Sequence, residues 1–389
     1  MKILITTDLF TMGKPGEINA NGVITSVKNL YTELTKIGHE VKILTLSRDR
    51  KTYKEGDVYY MGSLPFPVYP HVRASYISHK KRKYINEILE WKPDVIHSQC
   101  EFFTMPFANK ISKKTSAPIV HTYHTVYEHY VGYIGMGKKI GKALVRHYSK
   151  RFLRHAKAVI APTVKVKDIL EGYGMKQPIH VIPTGINLDQ HKQRITQSDR
   201  LEMRRALGIG DNDFVSVFVG RLGKEKNVEE LLEYFSKASE GLDNAKLLVV
   251  GGGPDADHLK AYAAKLQTNG SIIFSGMVPP ERVHEYYQLG DLFLCASTSE
   301  AQGLTYVEAA ANSLPLLCRE DGCLALMIKQ GENGYSYADL DTFKEKLTYI
   351  YGNEEWRKKA SAISYDIAMG FDNSTFAANA AALYASLIS

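Results

Sequence analysis

The sequence predicts an α/β protein built from two doubly wound parallel sheets, each the core of its own domain. Three observations predict it. Short apolar runs of strand length recur along the chain, among them Lys2-Ile-Leu-Ile-Thr6, Ile119-Val-His-Thr122 and Phe214-Val-Ser-Val-Phe-Val219. Between them lie segments with apolar residues at helical spacing, such as Val23, Val27, Leu30, Leu34 and Ile37. The 389 residues suffice for two cores of ordinary size, expected over 1–190 and 191–370.

Composition narrows the class. Hydrophobic and charged fractions of 44% and 23% belong to a globular chain rather than a disordered one. Cys100, Cys295, Cys318 and Cys323 show no metal-type spacing and are expected to be reduced thiols of a cytoplasmic protein. No long apolar leader opens the chain and no window is apolar enough to span a bilayer, so a peripheral rather than integral protein is expected. The net charge of +7 is unevenly spread: residues 1–190 carry 29 basic against 15 acidic side chains, and the remainder is acidic. Only the first half is therefore expected to meet an anionic surface, lipid or nucleic acid.

Taken in order, the first strand, Lys2–Thr6, leads through the loop Thr11–Ala20 to Gly22, at the mouth of a helix Val23–Ile37. Glycine there lets the backbone approach a diphosphate closely. Strands Val41–Thr45 and Val95–His97, a helix Lys83–Trp91 and strand Ile119–Thr122 follow, the last running into His124. His121, His124 and His129 without a nearby cysteine make a poor zinc site. From Glu128 to Asp168 there is no acidic residue, while Lys138, Lys139, Lys142, Arg146, Lys150, Arg151, Arg154 and Lys157 lie between. Lys142, Arg146, Lys150 and Arg154 form one helical row; Ile140, Leu144, Tyr148, Phe152 and Ala156 form another, expected to pack inward. A basic amphipathic helix of this kind binds anionic membranes at about 1 kcal/mol per basic residue. Residues 187–198, polar and without a period, are expected to link the domains.

In the second half, strand Phe214–Val219 ends in Gly220-Arg-Leu-Gly-Lys-Glu-Lys226, with two cations at a strand's carboxyl edge where phosphate can be held. Lys246–Val250 runs into Gly251-Gly-Gly-Pro254, without the spacing of a dinucleotide site. The stretch Ser297–Asp321 follows a buried strand, Asp291–Cys295, and holds Glu300, Gly303 and Glu308. Leu304, Thr305 and Tyr306 would begin a helix whose free N–H groups attract phosphate. One carboxylate can hold a sugar and the other a ribose, which fits a nucleotide-sugar. Residues 359–389 look helical.

The spacing Glu300-x7-Glu308, with Gly303-Leu304 inside it, resembles the signature of retaining family 4 glycosyltransferases of the GT-B fold. The text Gln302-Gly-Leu-Thr-Tyr306 looks like that of their bacterial diacylglycerol glucosyltransferase branch, and Gly220-Arg-Leu-x4-Asn227, Gly251-Gly-Gly-Pro254 and Ile182-Pro-Thr-Gly185 resemble further family elements. The resemblance implies two Rossmann-like domains facing across a cleft, with segment 371–389 crossing back to the first. It implies catalytic roles for His124, Glu300, Arg221 and Lys226. Donor contacts would come from Gly22, Gly252, Met277, Val278, Gln302, Gly303, Leu304, Thr305 and Glu308, the nucleobase being read by backbone at 277–278. The donor would be a UDP-sugar and the acceptor diacylglycerol, on the inner face of the cell membrane, with no metal or other cofactor. No second carboxylate is evident on the acceptor side, so same-face attack with retention fits better than double displacement. A soluble, polysaccharide or protein acceptor is the alternative within enzymes. A nucleic-acid module is the alternative outside them, and no aromatic-basic motif supports it.

Overall fold

The structure is a computed structural model and describes residues 1–10, 22–66, 73–128, 138–266 and 270–388. It divides into two compact units, one running to Gly185 and resuming at Asn373, the other formed by Ile186–Asp372. Both are doubly wound α/β units, as the apolar runs predict.

In the first unit, eight strands lie in the order Ile179–Val181, Ala156–Ala161, Ile119–Thr122, Val95–Ser98, Lys2–Thr6, Glu40–Leu46, Val58–Met61 and Tyr53–Glu55, with only the last pair antiparallel. Lys2–Thr6 pairs with Glu40–Leu46 on one side, Ile3 opposite Val41, and with Val95–Ser98 on the other, Ile3 opposite Val95. Helix covers both faces, so the central strands are buried throughout rather than alternating, His97, Ser98, His121 and Thr122 included. Helix Gly22–Lys36 buries Val27, Leu30 and Leu34; Ile37, expected on that face, lies beyond the helix end and is exposed. Beside it packs helix Asn373–Ile388, which contributes Phe376, Leu383 and Tyr384 to the same core. Each such side chain adds roughly 1.5–3 kcal/mol on burial.

The second unit has six parallel strands in the order Ile272–Gly276, Ala245–Val250, Phe214–Val219, Leu292–Cys295, Leu316–Arg319 and Gly334–Tyr337. Residues 187–198, expected as a linker, belong to this unit instead. They hold helix Leu188–Lys192 and the start of helix Gln197–Ala206. Leu188 is buried there, His191 accepts from the Asn312 amide at 2.9 Å, and Arg194 bonds Ser313 Oγ at 2.9 Å. Two buried side chains in a polar stretch were enough to fold it.

In each sheet the chain starts at a central strand, builds outward, then returns to build the other way. The carboxyl ends of the two central neighbours therefore diverge and leave a crevice. In the first unit these are Lys2–Thr6 and Val95–Ser98; in the second, Phe214–Val219 and Leu292–Cys295.

Candidate active site

The second unit gathers most of the expected donor residues at its switch point. Arg221 and Lys226 come from the loop after Phe214–Val219, and Glu300 from the loop after Leu292–Cys295. Lys226 Nζ donates to Glu300 Oε1 at 2.5 Å, both side chains largely buried, and Arg221 lies 3.7 Å from Glu225 with its guanidinium more than half exposed. Burial alone would lower the Lys226 pKa, but the Glu300 carboxylate outweighs it and holds the ammonium charged. Ser297 and Ser299 donate to the Glu225 carbonyl at 3.3 and 2.8 Å, tying the two loops together.

Gly303 starts the site helix, Leu304–Ala311, with φ +75, and a side chain there would run into the Tyr306 ring. Having none, it cannot cap the helix with a side chain; the Tyr306 N–H turns back to the Gly303 carbonyl at 3.0 Å, and the N–H groups of Leu304 and Thr305 are left to face an anion. Two other helices of the same unit are capped by side chains, Gln197–Ala206 by Thr196 and Leu340–Gly352 by Asp339. Gln302 is buried, while Leu304 and Thr305 are half-buried. One turn on, Glu308 accepts from the Tyr287 hydroxyl at 2.9 Å, and burial pushes its carboxyl up. Gly252 sits against Met277, with no room for a side chain between them. Met277 is half exposed and Val278 points into the core, so only the backbone of Val278 is left to face a ligand. The Gly251–Gly253 turn is stitched to the loop bearing Arg221 by Leu222 N–H to Gly252 O at 2.9 Å.

The other expected residues lie in the first unit. Gly22 opens helix Gly22–Lys36 and is exposed; the loop before it, 11–21, lies outside the described residues. His124 follows strand Ile119–Thr122 and donates from Nε2 to Gln99 Oε1 at 2.6 Å; burial lowers its pKa to about 4, so the ring is neutral. The first unit also brings to this point residues that the sequence reading passed over. Glu101, buried, accepts from His121 Nε2 at 3.1 Å and from the Tyr127 hydroxyl at 2.6 Å. Asp8 accepts from the backbone of Phe103 and Thr104 and from the Thr104 hydroxyl, at 3.0, 2.7 and 2.6 Å. The expectation that no carboxylate stands on this side is thus corrected: two do, Glu101 held by two donors and Asp8 by three. A usable signal existed, since Gln99 and Glu101 directly follow a strand at the switch point.

The basic helix departs from its expected form. It runs Lys138–Leu153, so Arg154 stands in the following turn, and Ala156 and Lys157 belong to strand Ala156–Ala161. Its inward face is Gly141, Ser149 and Leu153, because Gly141 permits close approach and Ser149 meets the Tyr123 hydroxyl at 3.1 Å. Ile140 and Tyr148, expected inside, are 65% and 51% exposed. Lys142 pairs with Glu128 at 2.9 Å and Arg146 donates to the Tyr173 carbonyl at 3.1 Å, so these two are partly spent within the unit. Lys150 and Arg151 are exposed and, with Arg146, His147 and Arg154, line a surface concavity. The side chains of Lys138 and Lys139, the loop Gly132–Gly137 and His129 lie outside the described residues. From Tyr148 a run of ring contacts, Phe152 at 6.0 Å, Phe102 at 5.8 Å and Tyr127 at 5.5 Å, leads to Glu101. No helix among the described residues is long and apolar enough to cross a membrane.

Residues 20–190 match the family description Glycosyltransferase Family 4, and residues 199–366 match Glycosyl transferases group 1. The chain is 36% identical over 319 residues to an alpha-monoglucosyldiacylglycerol synthase of Streptococcus pneumoniae, covering 82% of this chain and 72% of that protein. A protein of the same name from Acholeplasma laidlawii is 30% identical, with 86% of each covered. Among solved structures, sucrose-phosphate synthase from Thermosynechococcus elongatus is similar at TM-score 0.78 and 18% identity, covering 99% of this chain and 98% of that one. Anabaena Alr3699/HepE in complex with UDP-glucose is similar at TM-score 0.74 and 16% identity, covering 99% and 100%.

Proposed function

The chain belongs to glycosyltransferase family 4, and on that premise we propose that this GT-B enzyme moves a hexose, glucose, from its UDP-sugar to the 3-hydroxyl of 1,2-diacylglycerol at an anionic membrane surface, with retention. The observation that carries the reading is the cluster of Arg221, Lys226 and Glu300 beside the uncapped start of helix Leu304–Ala311. Cations, a carboxylate and open N–H groups together suit a sugar diphosphate.

In this mechanism the diphosphate rests on Arg221, Lys226 and the N–H groups of Gly303 and Leu304. Glu308 accepts from the ribose hydroxyls and the 277–278 backbone meets the base. The bond from the anomeric carbon to phosphate oxygen breaks, and the electron pair leaves with the nucleoside diphosphate, stabilised by the two cations. Because Lys226 turned from Glu300 to phosphate when the donor bound, Glu300 is free to hold the sugar and face its developing positive charge. The acceptor hydroxyl attacks from the same face, oriented by His124, and its proton passes to the leaving phosphate. Arg221 and Lys226 supply the charge neutralisation, so the mechanism assigns no step to a metal.

Support for a lipid acceptor comes from the first unit. Lys150 and Arg151 suit anionic head groups, exposed Ile140 and Tyr148 suit the interface, and the ring track toward Glu101 suits acyl chains. The test is transfer by purified protein from UDP-glucose, UDP-galactose or GDP-mannose, with and without diacylglycerol in anionic vesicles. Vesicle-dependent glycolipid from UDP-glucose is expected. Donor hydrolysis without glycolipid would discard the lipid acceptor, and glycolipid from another donor would discard glucose.

A further inference from the structure

His124 is tied through buried side chains to a helix far away in sequence. Tyr384, on helix Asn373–Ile388, contacts His97 Nδ1 at 2.6 Å, and burial keeps its phenol protonated, so the hydroxyl is able to donate there. His97 is wholly buried and neutral and carries one ring proton. With Nδ1 accepting, that proton sits on Nε2 and goes to Thr122 Oγ1 at 2.7 Å. The amide nitrogen of Gln99 lies 3.1 Å from both ring nitrogens of His97. In the ring plane such a point would collide with the C–H between them, so the amide sits out of that plane, against the ring face. The electron-rich face of a neutral ring takes the NH2 end of an amide, not its oxygen. Gln99 Oε1 is thereby turned toward His124, where it meets Nε2 at 2.6 Å.

We propose that Gln99 is a positioning residue that holds His124 as its Nε2–H tautomer, so that Nδ1 is the bare lone pair offered to a substrate hydroxyl. Helix Asn373–Ile388 holds Gln99 in that orientation through His97. The inference rests on the reading above that His124 orients a hydroxyl of the acceptor or sugar. A hydroxyl that donates to Nδ1 has its rotation fixed and its own lone pairs turned outward for attack. In the other tautomer Nδ1 would donate to that oxygen and occupy one of them.

The test uses the whole 389-residue chain with 15N-labelled histidine, assigned with a His124→Ala variant. The expected spectrum has His124 neutral at pH 7 with its proton on Nε2, and a proton on Nδ1 overturns the proposal. Gln99→Glu puts a carboxylate against Nε2–H and favours the imidazolium. The other titratable groups around His124 are Glu101, His121 and, across Gln99, His97, and the substitution leaves them in place. The acid limb of kcat for transfer is expected to move up by about one pH unit or more, with KM for the nucleotide-sugar unchanged. A rate lowered equally at every pH is the outcome of a merely structural role and overturns it. Tyr384→Phe is expected to give a mixture of His124 tautomers, and an unchanged spectrum removes the helix from the relay. The ring spectrum needs no turnover, so it decides the tautomer even if no glycolipid forms. Wild-type transfer by His124→Ala would instead overturn the substrate-facing role.

Discussion

The two crevices share a topology and differ in how their polar groups are satisfied. In the first unit, His97, Gln99, Thr122, His124 and Tyr384 are neutral and hydrogen-bonded to one another. In the second, Lys226 and Glu300 are charged and close on each other, and Arg221 leans on Glu225. A neutral network loses its geometry when any member is exchanged, which suits orientation. A charge pair trades one partner for a substrate anion at little desolvation cost, which suits binding a diphosphate and releasing it. One crevice holds a shape and the other holds a charge in reserve.

The largest effect should come from the charged side. Lys226→Ala or Glu300→Gln is expected to lower kcat for UDP-sugar consumption by about 10³-fold, measured with the fold checked by circular dichroism. A smaller loss than His124→Ala gives would invert the comparison. His124→Ala should cost about 10²-fold in transfer while UDP affinity by calorimetry stays at the wild-type value. A matching loss of UDP affinity would break the division of labour between the units.

Acid sharpens the contrast. His124 has a folded pKa of about 4 against an ordinary 6.5, so below about 6.5 the unfolded chain takes a proton that the folded one refuses. Stability is therefore full above pH 6.5 and falls as pH drops, by about 3 kcal/mol for this group at pH 4. His97 acts in the same sense in the first unit, and His191, also lowered to about 4, in the second. Asp8 in one unit and Glu308 in the other, raised by burial, act oppositely and offset each other in the comparison. With three lowered histidines in the first unit, His39 being the third, against one in the second, amide exchange between pH 6.5 and 5 should accelerate more in the first unit. Equal acceleration would argue that its network is not neutral. The smallest effect expected is on the surface: Lys150→Ala and Arg151→Ala should each weaken binding to anionic vesicles about fivefold, read by sedimentation, with UDP affinity unaltered.

Both sheets were legible from strand-length runs rich in apolar residues, and the second also from its glycine turns, as at Gly220 after Phe214–Val219. The cluster proposed to hold the donor was readable because its chemistry sits in two short segments, 221–226 and 300–308. The acceptor side was harder, since Gln99, Glu101 and Tyr384 meet only through strand order and a helix nearly three hundred residues from His97. The rotation of the basic helix was misjudged for a related reason. Ile140 and Tyr148 form a tidy apolar row, but the inward face is chosen by what the neighbours accept, here Ser149 for the Tyr123 hydroxyl and Gly141 for close packing.

The first unit closes only when helix Asn373–Ile388 has joined it, and that helix is made after the whole of Ile186–Asp372. At synthesis rates of about 5–20 residues per second, His97 and His124 wait roughly 13–57 seconds on the ribosome for Tyr384. The unit begun first is thus finished last, and the face that later receives Phe376 and Leu383 stays bare through that interval. A polypeptide arrested before residue 373 would have a complete second unit and an unwired His124, a form in which sugar-nucleotide binding precedes any competence for transfer.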